Sequence, residues 1–219
     1  MINHHMHAAL AHERAVTFLT EAQAARQAKQ ARTGRRRRPA RPQSVAEGTP
    51  AVLRDGSAVL IRQVRGSDAP LLADGFARLS ARSRQMRFLS PKHSLSAAEL
   101  RFFTEVDHHD HEAIGALSAA DGRGVGIARY IREPGDPTAA EIAVTIVDDW
   151  QGRGLGTELL ARLSDRASQE GIRRFTAAVA ADNAAMAGLL RNFGGDKVSR
   201  EFGTDEYEIV LRGRVTRPS

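Results

Sequence analysis

From about Val52 onward the chain switches repeatedly between two hydrophobic periods. Ala58–Val64 is a β-branched, apolar run and predicts a strand. Ser67 and Asp68 offer a helix cap, and Pro70–Leu79 carries an apolar stripe at helical spacing. Ser94–Thr104 predicts a second helix, with Leu95, Leu100 and Phe103 able to share a face. Ala113–Ser118 and Val125–Ile131 flank an Asp121-Gly122 turn and read as a hairpin. A loop holding Pro134 and Pro137 leads to a strand over Glu141–Val147. Leu155, Leu159, Leu163 and Ala167 recur at every fourth position, which predicts a helix over Leu155–Gln169. Phe175–Ala180 then reads as a strand. Asn183–Asn192 reads as a helix closed by Gly194-Gly195, and Tyr207–Leu211 as a last strand. The hairpin excludes a purely parallel sheet, so the pattern predicts an α/β domain on a mixed sheet.

The first 50 residues have a different texture. Residues 8–33 are rich in Ala, Gln and Arg, which favour helix, but large apolar residues stop after Leu19. A partly formed helix is expected there, fraying into Gly34-Arg35-Arg36-Arg37-Arg38-Pro39. Pro39, Pro42 and Pro50 mark a linker. The expected organisation is a basic extension over 1–50, a main domain over 51–213 and a short tail over 214–219. The net charge of +6 resides in the extension, where nine basic residues face three acidic ones. The rest is neutral, so the high pI belongs to a leader and not to the main domain. Arg35–Arg41 could contact nucleic acid weakly and non-specifically, but it has no interleaved aromatics for reading bases. The chain has no cysteine, which excludes disulfides and thiolate metal sites and fits a reducing, cytoplasmic location. No stretch of about 18 apolar residues predicts a membrane span, and the histidine-bearing N-terminus does not read as a secretory signal.

The chemistry concentrates between Glu141 and Thr157. A strand runs into Gln151-Gly152-Arg153-Gly154-Leu155-Gly156-Thr157 and straight on into a helix. Glycines let a backbone approach an anion, and the first amides of a helix have no internal acceptors, so the loop can cradle a pyrophosphate. Arg153 adds a cation. A nucleotide P-loop needs Gly-Lys-Ser/Thr, and here Gly156-Thr157-Glu158 stands instead. The dinucleotide pattern G-x-G-x-x-G/A fails too, because its third position falls on Thr157 or Leu159. Gln/Arg-x-x-Gly-x-Gly/Ala fits at every specified position. That is the acetyl-CoA loop of the GNAT family, and the sequence resembles GNAT acetyltransferases over about residues 58–211. Asn183, Met186, Leu189 and Gly194 fall on the family's later segment. Within the family, Met86–Pro91, Leu95–Phe103, Val106-Asp107 and His111-Glu112-Ala113 resemble the acceptor side of bacterial protein lysine acetyltransferases.

The resemblance implies the GNAT fold, a mostly antiparallel mixed sheet splayed at the acetyl-CoA site and flanked by helices. It implies acetyl transfer to a primary amine, either a protein lysine or a small molecule. A vestigial, non-catalytic binding module is the alternative from another class. Gln151–Thr157 would hold the pyrophosphate, Ile146 and Val147 would pair with pantetheine, and Asn183 would lie near the pantetheine arm or act only as a helix cap. Glu141 would be the general base, and a charge on an apolar strand asks for a reason. One departure stands out: Leu190 occupies the position where a tyrosine often serves as general acid. A thiol pKa of about 8.5 makes a thiolate a tolerable unassisted leaving group. His108, His109, Asp110 and His111 have metal-ligand types but adjacent positions that point different ways, and no metal is expected. Arg82, Arg84 and Arg87 could line the acceptor site or form a solvated helix face.

Overall fold

The structure is a computed structural model and describes residues 48–211. The helix expected over 8–33, the histidine-bearing N-terminus, the Arg35–Arg41 run, most of the linker and the tail from 214 lie outside those residues.

Eight strands form one sheet in the order β1-β2-β3-β4-β5-β6-β8-β7. The strands are β1 (Thr49–Val52), β2 (Ala58–Gln63), β3 (His111–Ser118), β4 (Gly124–Glu133), β5 (Asp136–Ile146), β6 (Arg174–Ala180), β7 (Asp196–Glu201) and β8 (Thr204–Val210). Every neighbouring pair is antiparallel except β5 and β6. The helices are α1 (Ala69–Ala77), α2 (Ala81–Phe88), α3 (Ala97–Thr104), α4 (Leu155–Gln169) and α5 (Ala184–Asn192). None of the described helices is long and apolar enough to cross a membrane.

Helices cover both faces. On one, α4 buries Leu155, Leu159, Leu160, Leu163 and Ala167 against Ala128, Tyr130, Ile142 and Phe175, and Leu190 of α5 joins the same core. At about 25 cal/mol per Å² such burial is the main favourable term holding α4 to the sheet. On the other face, Phe76 and Leu79 near α1 and Phe102 of α3 are buried. There Phe88 packs between Phe76 and Phe103, at 5.9 and 6.4 Å between ring centroids.

Several elements depart from expectation. Thr49 and Pro50, read as linker, form β1 on the sheet edge, where a proline is tolerated. Asp68 does not cap α1; its carboxylate takes the Arg65 amide at 2.8 Å and two Arg62 nitrogens at 2.6 and 2.7 Å. The polar stretch Ala81–Phe88 is a helix because Ser80 caps it, accepting from the Ser83 amide at 3.1 Å. β5 begins at Asp136, so Pro134-Gly135 is a tight turn rather than a loop. β7 is exposed along its whole length and shows no alternation, so only its pairing with β8 reveals it.

Candidate active site

β5 sits between β4 and β6, and the two pairings differ in extent. It pairs with β4 along its length, from Asp136 to Ile146. With β6 it pairs only at Ala139, Ala140 and Glu141. Beyond Glu141 the two strands part, while β6 stays paired to β8 as far as Ala180. The sheet is therefore splayed, and the fork lies at Glu141.

Hydrogen-bond alternation says which backbone groups face the opening. The Val147 amide donates to the Val125 carbonyl at 3.0 Å, so odd-numbered β5 residues bond to β4. Even-numbered residues point the other way, and the Arg173 amide reaches Thr138 O at 2.7 Å on that side. Ile146 and Val144 thus turn their backbone groups toward the opening. Val147 does not, because its amide is bound to Val125 and its carbonyl accepts from the Trp150 amide at 2.8 Å. Of the two residues expected to face pantetheine, Ile146 lies at the opening with its carbonyl accepting from Gln151, and Val147 bonds to β4 and to Trp150.

The glycine loop closes one end of the opening. Gly152 and Gly154 have φ of 75° and 90°, the left-handed region that disfavours side chains. Gly154 is the N-cap of α4 and supplies no side-chain cap. The amides of Leu155, Gly156 and Thr157 therefore begin the helix without a capping side chain, as an anion cradle requires. Close packing fixes this helix start. A Cβ on Gly126 would lie 2.8 Å from Ile146 Cδ1 and 3.1 Å from Leu155 Cδ2, and one on Gly156 would lie 3.3 Å from Leu189.

Two arginines lie beside the loop. Arg153 Nη1 binds Asp55 and Ser57 at 3.1 Å each, and its guanidinium lies 4.9 Å from the Trp150 ring. Arg54, which the sequence did not single out, lies over Gly154, with its stem 3.3 Å from where a Cβ would stand. Its amide donates to Arg153 O at 3.2 Å, a contact across 99 positions that no local pattern announces. Gln151 donates through Nε2 to Ile146 O at 3.1 Å and Asp148 Oδ1 at 3.2 Å, which ties the loop to the end of β5. Asp148 also accepts the Ser80 amide at 3.0 Å and so anchors α2. Burial pushes its carboxyl up, but hydrogen bonds from Ser83 and Ser80 prevail and hold it low.

Glu141 is exposed and lies on the same face as Ala143, Thr145 and Val147. Those three line a largely apolar cavity of about 860 Å³, counting its open mouth, beneath α1, α2 and α3. Arg87 lines the cavity and interacts electrostatically with Glu141. The other two arginines of α2 go elsewhere: Arg82 reaches Asp182 at 3.5 Å, and Arg84 stacks on Phe76 at 4.7 Å.

At the far side of the opening, Asn183 caps α5, its Oδ1 accepting the Met186 amide at 3.1 Å. Leu190 is wholly buried in the core, and so are both tyrosines, Tyr130 and Tyr207. The histidine run disperses. His108 meets Glu112 at 2.7 Å, His109 meets Glu170, and His111 packs 4.9 Å from Phe102.

A splayed sheet, an uncapped glycine-led helix closing its opening and a cavity beside a carboxylate at the fork are the features of an acyl-CoA-dependent transferase fold. The Acetyltransferase (GNAT) domain family matches residues 58–196. The chain is 39% identical over 164 residues to "Acetyltransferase PA5475" of Pseudomonas aeruginosa, covering 73% of this chain and 86% of the relative. It is 32% identical over 160 residues to "Acetyltransferase Pat" of Mycolicibacterium smegmatis, spanning 73% of this chain but 48% of that longer relative. The solved GNAT domain of S. lividans PAT superposes with a TM-score of 0.71 at 30% identity, covering 75% of this chain and 97% of that one. The chain belongs to the GNAT acetyltransferase family.

Proposed function

We propose that this chain transfers an acetyl group from acetyl-CoA to a primary amine, with Glu141 as general base. The observation that carries the reading is the position of Glu141: the last β5 residue paired to β6, at the fork and on the cavity face. Acetyl-CoA supplies the thioester. The amides that open α4, with Gly152 and Gly154, bind its pyrophosphate, and Arg54 is placed to add a cation. Val144 and Ile146 orient the pantetheine arm along β5, and Asn183 borders the opening as the cap of α5.

An alkylamine with a pKa of about 10.4 is protonated at neutral pH, so Glu141 takes one proton from it. The amine nitrogen then bonds to the acetyl carbon, the C–S bond breaks with its electron pair leaving on sulfur, and the second N–H proton passes to the departing thiolate, giving a neutral amide and CoA thiol. With Leu190 and both tyrosines in the core, that thiolate departs without a tyrosine acid. The acceptor is a protein lysine or a small amine. The cavity beneath α1, α2 and α3 is where it would enter.

Binding and turnover test this together. At 100 times its Kd, acetyl-CoA should stabilise the protein by about 2.7 kcal/mol, a rise of roughly 5–10 °C in melting temperature. ATP and NAD should do much less, and thiol release should depend on an added amine. Equal stabilisation by ATP, or none by acetyl-CoA, would overturn the assignment.

A further inference from the structure

The acetyl-transfer reading leaves two cations in the cavity without a task. Arg129, in the middle of β4, is 5% exposed. Its guanidinium lies 4.2 Å from the Phe103 ring centroid, and its Nη1 is 3.5 Å from His111 Nε2. Among the described residues it forms no ion pair with a carboxylate, and the charge that acts on it is a second cation, Arg87. Burial holds both guanidinium groups below the ordinary arginine value, and only Arg87 is drawn back up, by Glu141. The third arginine of the cavity differs: Arg62 is neutralised by Asp68 through two hydrogen bonds of 2.6 and 2.7 Å. Burying a charge such as that of Arg129 is costly without a partner, and a like charge near enough to act on it raises that cost. Such an arrangement suits a site whose counter-charge arrives with the ligand.

The strand register places this pair relative to the reacting centre. Arg129 stands opposite Ala143, and Glu141 is two residues along on the same face. Diagonal neighbours of this kind lie about 7–8 Å apart. Between a base at one corner and guanidinium groups at the other there is room for an amine and a carboxylate on one small molecule. Around them the lining is apolar: Leu71, Leu72, Phe76 and Phe103.

We propose that the acceptor is an amino acid with an apolar side chain, its carboxylate held by Arg129 and Arg87 and its amine presented to Glu141. This rests on the acetyl-transfer reading and narrows it. A guanidinium fork matches a carboxylate in two parallel hydrogen bonds, so the site selects for that group and orients the amine beside it. Arg129 is a specificity residue in this scheme and takes no part in the proton transfer.

The test compares L-leucine, L-methionine and L-phenylalanine with their carboxamides, and with lysine peptides with and without a flanking glutamate. Thiol release gives kcat and KM for each. The amino acids should exceed their amides by about 10- to 100-fold in kcat/KM, the range of a charge-assisted hydrogen bond. Arg129→Gln should abolish that preference, bringing the kcat/KM of the acids down to that of their amides while the amides themselves change little. Arg129→Lys should retain part of it. Without ligand, Arg129→Gln should melt no lower than wild type, since a buried cation is removed; should it fail to fold, Arg129→Met, which keeps apolar bulk beside Phe103, carries the same prediction.

A second readout does not need turnover. L-Leucine at millimolar concentration should raise the melting temperature of the wild type and not of Arg129→Gln. Leucine binding in a protein that neither binds nor cleaves acetyl-CoA would sink the acetyl-transfer reading and leave this site standing. Turnover of amides as fast as acids, preference confined to the glutamate-flanked peptide, or equal loss on every acceptor in Arg129→Gln would overturn the amino-acid site and leave acetyl transfer intact.

Discussion

Glu141 owes its setting to a single register. Facing Ile131 on one side and Thr176 on the other, it is the last residue before β5 and β6 separate. Glu141→Gln keeps the shape but cannot accept a proton. Turnover at neutral pH should fall by roughly 10²–10⁴, while acetyl-CoA binding stays near wild type, since the cradle begins ten residues further on. Raising the pH should restore part of the rate, because more of the amine is then already neutral; an unchanged rate across the pH range would place the base elsewhere. A second carboxylate, Glu112, is fully buried on β3 and has a structural task. It accepts from Gln63 at 2.8 Å, Arg166 at 3.1 Å and its neighbour Ala113 at 2.9 Å, and meets His108. Burial alone would raise its carboxyl, but the hydrogen bonds from His108 and Gln63 and the pairing with Arg166 prevail and hold it low. A lowered carboxyl stabilises the fold above the unfolded value of about 4.3 and loses that contribution as pH falls through the folded value. Acid unfolding of the wild type should therefore steepen below about pH 4. Glu112→Ala should cost about 3 kcal/mol at neutral pH and flatten that acid limb, as denaturant titration would show.

The unit that organises the site is the β5–loop–α4 segment. Its helix was readable in sequence to the residue, Leu155–Gln169, because the leucines recur every turn and pack a single face. The loop conformation is equally local: with φ of 90° at Gly154, any side chain is strained there. Gly154→Val should leave a folded protein, destabilised by about 1–3 kcal/mol, that has lost most of its melting-temperature response to acetyl-CoA. An undiminished response would show that the pyrophosphate sits elsewhere. Other elements could not be read this way. α2 has no fully buried residue and three arginines, so no stripe marks it; its existence depends on the Ser80 cap and on Asp148 from across the chain. Which backbone groups of β5 turn to the opening likewise follows from pairing with β4, which leaves no trace in composition.

For the whole molecule, the described domain forms part of a compact unit that begins at Gly48. Its first strand starts at Thr49, three residues before the sequence texture changes at Val52. Removal of residues 1–47 should therefore leave a cooperatively melting protein that binds acetyl-CoA as before. Removal through Val52 should weaken binding as well as stability, since β1 leads into Leu53 and Arg54, whose amide holds the Arg153 carbonyl. Calorimetry with and without acetyl-CoA separates the two. A loss of binding on the shorter deletion would show that the extension contributes to the site.

Local order fixed much of this protein before any folding argument. The periods of α4, β2 and the β3–β4 hairpin, the glycine loop and the glutamate of β5 are all written in neighbouring residues, because helix spacing, strand alternation and glycine's backbone freedom act within a few positions. Tertiary structure decided what depends on distant partners. The fork at Glu141 exists because β6 leaves β5 there and stays with β8. Arg153 is held by Asp55 and Arg54 is brought to Gly154 because the β1–β2 turn docks on the loop. Arg129 becomes a buried cation beside Arg87 only when α2 and α3 close over β4. Each of these joins residues far apart in sequence, and charge at such a meeting point is set by burial and geometry, which no stretch of chain carries alone.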